Sequence, residues 1–95
     1  MTTKKQVLNN LTNLQRNSIL RYMEIKTPTD EYVSAFSRLL ESIEPLRKVV
    51  TNEKSQDAEV FENYQKQVEI LNQQLTQCFR AHGGLALRYG SPDIW

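Results

Sequence analysis

Cysteine, histidine and tryptophan each occur once in this 95-residue chain, and glycine and proline three times each. The lone cysteine, Cys78, has no partner for an intramolecular disulfide or a cysteine metal cluster. The lone histidine, His82, leaves no second imidazole for a metal site. Glu59, Glu62 and Glu69 do not combine with it into a Glu-x-x-His arrangement. Gly83-Gly84 follows a helical pattern, whereas a phosphate-cradling loop precedes a helix. No segment approaches the roughly 18 apolar residues of a membrane span, and no signal-like apolar run opens the sequence. The expectation is a soluble cytoplasmic protein that is not an enzyme and carries no cofactor or metal.

A strong charge of one sign is also missing. Twelve Lys and Arg face eleven Asp and Glu, so the net charge is +1 and nothing favours nucleic acid or membrane globally. The charges are unevenly placed. Lys4, Lys5, Arg16, Arg21 and Lys26 are opposed only by Glu24, while Asp30, Glu31, Glu41, Glu44 and Glu53 make the next stretch acidic. Either a basic first helix packs beside a more acidic second one, or the first helix presents a basic face to phosphate or an acidic partner. Nucleic-acid binding through the first helix is the weaker expectation, because no helix-turn-helix, zinc-finger or RNA-binding signature accompanies the basic residues.

What the chain has is helical periodicity. Phe61, Tyr64, Val68, Leu71, Leu75, Cys78 and His82 are spaced alternately by three and four, a heptad seam. Tyr32, Phe36, Leu39, Ile43, Leu46 and Val50 form a second seam of the same kind. In the first segment Val7, Leu11, Leu14, Tyr22 and Ile25 share one side, with Leu8, Ile19 and Met23 widening the stripe and Leu20 lying off it. These patterns predict an all-α fold. It is either a three-helix bundle or an extended antiparallel hairpin with an added N-terminal helix, followed by a short extended tail. Phe36, Phe61 and Tyr64 are bulky for a two-stranded coiled coil and favour a thicker core.

One domain over 1–95 is expected, with helices over about 4–25, 28–51 and 56–82 and a tail over 83–95. Thr27, Pro28, Asp30 and Glu31 mark the start of the second helix, with Thr27 as its cap. Pro45 should kink that helix, because the seam keeps phase across it. Ser55 is the expected cap of the third. Cys78, on the seam, reads as a small buried hydrophobe.

Function is expected in protein contacts. Leu85, Leu87, Tyr89, Ile94 and Trp95 put five large apolar side chains into the tail. That is a candidate protein-binding segment, which either folds back on its own bundle or docks on another chain. The role this suggests is that of an adaptor, an inhibitor or a small complex subunit, with self-association into a homo-oligomer expected. A second expectation is an oligomer that binds an anionic ligand such as a nucleotide through Arg80, His82 and Arg88 near the end of the third helix.

Overall fold

The computed structural model describes residues 2–81. It is a helical bundle with overall dimensions of 44 × 27 × 16 Å. Four helical segments make up the described residues: α1 (Lys4–Met23), α2 (Asp30–Glu41), α3 (Ile43–Asn52) and α4 (Ala58–Ala81). α2 and α3 are two halves of one bent rod, so the architecture is a three-helix bundle. No helix among the described residues is long and apolar enough to cross a membrane.

α1 begins in a capping box. Thr3 Oγ1 accepts from the Gln6 amide at 3.2 Å, and Gln6 Oε1 accepts from the Thr3 amide at 3.0 Å. Its buried positions are Val7, Leu11, Leu14 and Ser18, one side of a helix at spacings of four and three. Ser18 belongs to this set despite its hydroxyl, which donates to the Leu14 carbonyl at 2.6 Å and so enters the core satisfied. Ile19 and Met23 were expected to widen this stripe, but they lie on the outer side, 38% and 69% exposed. α2 and α3 cover a narrower arc of α1 than its apolar residues span.

α2 starts two residues later than the Thr27 cap would place it. Thr29 is the cap, and its Oγ1 accepts from the Tyr32 amide at 3.1 Å. Asp30 and Glu31 then fall in the first turn, where carboxylates complement the exposed amides. The interruption of the second rod falls at Ser42, three residues before Pro45. Proline acts on the carbonyl four residues back: Glu41 loses its amide donor and faces the ring. Ser42 keeps helical angles (φ −67°, ψ −17°), so the rod bends without a loop. Pro45 itself sits in the first turn of α3, where a missing N–H is tolerated. The seam therefore stays in phase, with Tyr32, Phe36, Ile43, Leu46 and Val50 all buried.

A relay of side-chain acceptors starts α4. Glu53 Oε2 accepts from the Ser55 amide, Ser55 Oγ from Asp57, and Asp57 Oδ1 from Glu59 at 3.0 Å. Asp57, not Ser55, thus caps the helix. The buried residues of α4 are Phe61, Val68, Leu75, Cys78 and Phe79. Phe61 to Phe79 is five turns at 3.6 residues each, the period of a straight helix. A strict heptad drifts by about 20° per repeat against that period. Phe61, Val68, Leu75 and Cys78 are positions of the seam, with Tyr64 and Leu71 packed against the core, and the drift adds Phe79 beside Cys78 near the end of the helix.

Two anchors fix the topology. Asn10 Nδ2 donates to Gln65 Oε1 at 2.9 Å, near the start of both α1 and α4. Toward the other end, the Phe36 ring stacks on Tyr22 of α1 at 4.4 Å and lies 5.9 Å from Phe79 of α4. α1 and α4 therefore run parallel, with the α2–α3 rod antiparallel to both. Tyr32 completes the aromatic cluster, stacked on Tyr22 at 5.2 Å and edge-on to Phe79 at 6.3 Å. Such pairs contribute about 0.5–1.5 kcal/mol each beyond the area they bury.

Candidate interaction surfaces

Most of the polar chemistry on the surface holds helices together. Lys4 Nζ donates to the carbonyls of Thr51 (3.1 Å) and Glu53 (2.6 Å), closing the C-terminal end of α3. Arg47 links α3 to α1 through Gln15 Oε1 at 2.8 Å and also pairs with Glu44 at 2.8 Å. Arg16 donates to Asn13, and Arg21 pairs with Glu24 at 3.3 Å. Of the five basic residues of the first segment, Lys4, Arg16 and Arg21 are thus engaged within the chain.

Glu53 and Tyr64 form a part-buried polar pair that shifts the titration of both groups. Tyr64 Oη donates to Glu53 Oε1 at 2.6 Å. That bond holds the Glu53 carboxyl below its ordinary range, with help from the Ser55 amide. The same bond pushes the Tyr64 phenol up. Both groups sit where α3 turns into α4, and they tie the linker to the helix that follows.

Burial pushes the Cys78 thiol up, away from the thiolate that nucleophilic chemistry needs. Burial also pushes Tyr32 up to about 12, with the Cys78 charge adding to it. Among the described residues no three of His, Cys, Asp and Glu converge as metal ligands. Arg80 is exposed in the last turn of α4. His82 and Arg88, its expected anion-binding companions, lie outside the described residues. So do Leu85, Leu87, Tyr89, Ile94 and Trp95 of the protein-binding tail.

The apolar residues left on the surface are a different matter. Ile19, Leu20 and Met23 are 38%, 56% and 69% exposed and occupy adjoining positions on the outer side of α1. Leu20 is therefore not covered by a second layer of this bundle among the described residues. Arg16 lies one turn before it and Glu24 one turn after. Val49 of α3 and Ile70 of α4 are also half exposed, on other parts of the surface. Sequence reading had singled out Leu20 as a residue off the core stripe. It had placed Ile19 and Met23 inside, because spacing alone does not say where the neighbouring helices end.

Comparison with known proteins adds no relative: no family model matches the chain, and neither do curated proteins or solved structures.

Proposed function

We propose that this chain is an assembly protein that works by helix pairing, and that its first partner is a second copy of itself through the outer face of α1. The observation that carries this reading is the exposed trio Ile19, Leu20 and Met23, set between Arg16 and Glu24. Arg16 and Glu24 stand symmetrically four residues either side of Leu20. Two α1 helices crossing antiparallel at Leu20 would therefore bring each Arg16 opposite the other copy's Glu24, with Arg16 exchanging its contact to Asn13 and Glu24 its exposed pairing with Arg21. A two-fold axis makes the same patch serve on both copies. Leu20 and Met23 supply the dry centre, and the two charge pairs fix orientation.

Size argues for a weak association. Stable interfaces bury about 800 Å² per partner, and three side chains cover only part of that. Exposed ion pairs add about 0.2–1 kcal/mol each. The pairing is thus weak and concentration-dependent. Sedimentation velocity over a concentration series tests it. The full chain is expected to shift from monomer to dimer as concentration rises, and Leu20→Asp to stay monomeric. A Leu20→Asp chain that dimerises like wild type contradicts the reading.

A further inference from the structure

α4 and the bent α2–α3 rod do not close against each other along their outer edge. Two adjoining hollows lie between them, and Ser42, the residue at the bend, lines both. The larger, about 430 Å³, lies between Ala35 and Leu39 of α2 and Gln74 of α4. The smaller, about 250 Å³, lies between Leu46 of α3 and Gln67, Ile70 and Leu71 of α4. From Gln67 to Gln74 the two follow α4 for two turns, about 10 Å at 1.5 Å per residue. Ala35 and Ser42 are too small to fill this space from the rod, and Ile70 stands 53% exposed on the facing rim. The result is an apolar groove between two antiparallel helices, the place where a four-helix bundle seats its fourth helix.

The charge of this groove is one-sided. Among the described residues Arg38 lines the larger hollow, and no carboxylate lines either one. Lys66 is exposed one turn before Ile70, toward the other end of the groove and on the opposite wall. Neither the Arg38 guanidinium nor the Lys66 ammonium has an ion pair or hydrogen bond among the described residues. Arg16, Arg21 and Arg47, by contrast, are engaged within the chain. Arg38 shares its hollow with Gln74, which lies eight residues beyond Lys66 on α4. The two free cations are thus separated along the groove by about 12 Å.

We infer that this groove takes an acidic amphipathic helix of another protein, seated as the fourth helix of the bundle. The apolar stripe of such a helix covers Leu39, Ile70 and Leu71, anchored at the i, i+3, i+4 and i+7 spacing of a helix in a groove. Carboxylates on both borders of that stripe, about two turns apart, meet Arg38 on one wall and Lys66 on the other. A basic helix of the same shape sets like charges against both and is rejected. All the groove residues belong to α2, α3 and α4, so this docking does not depend on pairing through α1.

Amide nuclear magnetic resonance titration of the full chain with synthetic peptides tests it. The probe is a helical peptide of about five turns, with leucine along one stripe and glutamate on both borders. Its counterpart carries lysine at the border positions. The glutamate peptide is expected to shift the signals of Leu39, Ser42, Ile70 and Leu71 and to bind more tightly than the lysine peptide. Arg38→Glu and Lys66→Glu, both exposed, should each weaken the glutamate peptide by about fivefold. Together they should invert the preference in favour of lysine. Ile70→Asp removes binding while the circular dichroism of the chain stays helical. Any of four results overturns the proposal: no binding of the glutamate peptide at millimolar concentration, equal binding of the lysine peptide, shifts at Ile19, Leu20 and Met23 instead, or the groove shifts appearing when the chain alone is concentrated, which would give the groove to a second copy. Sedimentation reads the α1 pairing and this titration reads the groove, so either can fail without the other.

Discussion

Phe79 is the buried α4 residue that lies off the heptad seam, and replacing it with alanine tests that placement. On the heptad register Cys78 is a core position and Phe79 is at its flank. In the bundle Phe79 is fully buried, 5.9 Å from Phe36 and 6.3 Å from Tyr32. Truncating a buried phenylalanine costs about 3–5 kcal/mol. A chain of this length has a total stability of about 5–14 kcal/mol, so the loss is about a fifth of the whole or more. At about 4–8 °C per kcal/mol, the thermal midpoint falls by about 12 °C or more. Cys78→Ala removes one sulfur from a site 8% exposed and costs on the order of 1 kcal/mol. Urea unfolding followed by far-ultraviolet circular dichroism measures both. If Phe79→Ala unfolds the chain outright, Phe79→Leu, expected to cost about 1–2 kcal/mol, keeps the comparison measurable. A Phe79→Ala chain no less stable than Cys78→Ala would refute the assignment of the buried stripe.

Three further outcomes follow from the polar groups. The folded-state Glu53 carboxyl titrates low because Tyr64 donates to it. Its stabilisation is therefore present above the ordinary carboxylate range and is lost as pH falls through the lowered value. Tyr64→Phe moves the Glu53 titration, followed by carboxyl carbon shifts, back up toward the ordinary range; an unmoved titration contradicts the bond. Tyr32, raised from 10.0 to about 12, contributes stability that is complete below 10.0 and lost as pH rises through about 12. Phenolate absorbance should show a tyrosine titrating near 12 that Tyr32→Phe removes, leaving the raised Tyr64 phenol in place. Asn72 Oδ1 is buried with no hydrogen-bond partner among the described residues. Relieving it with Asn72→Leu should raise stability by about 1 kcal/mol or more, read in the same urea titration.

Several of these features were legible in the sequence and several were not, for physical reasons. The second seam was readable because a rod packed on both sides buries large apolar residues at every turn, and Pro45 disturbed only its continuity. The position of the bend was less readable, since a proline acts on the carbonyl four residues earlier and the break shows at Ser42. Thr27 and Thr29 have the same capping chemistry, and only the packing of Tyr32 selects between them. Ser18 was hidden by its polarity, and Phe79 by its place beside, not on, the heptad seam. Ile19 and Met23 were hidden in the opposite sense: apolar, correctly helical, and left outside because no described helix reaches them. That misplacement is what the α1 surface consists of. Leu85, Leu87, Tyr89, Ile94 and Trp95, the candidate protein-binding residues, lie outside the described residues.

The pairing of α1 with its own copy is the central claim, and a charge reversal tests it most directly. Sedimentation equilibrium should show that Arg16→Glu alone weakens dimerisation, because it sets like charges opposite each other across the two-fold axis. Arg16→Glu combined with Glu24→Arg restores the opposite-sign pairs and should recover dimerisation to near the wild-type level. Dimerisation that ignores both changes, or a double variant no stronger than the single one, would contradict the antiparallel crossing at Leu20.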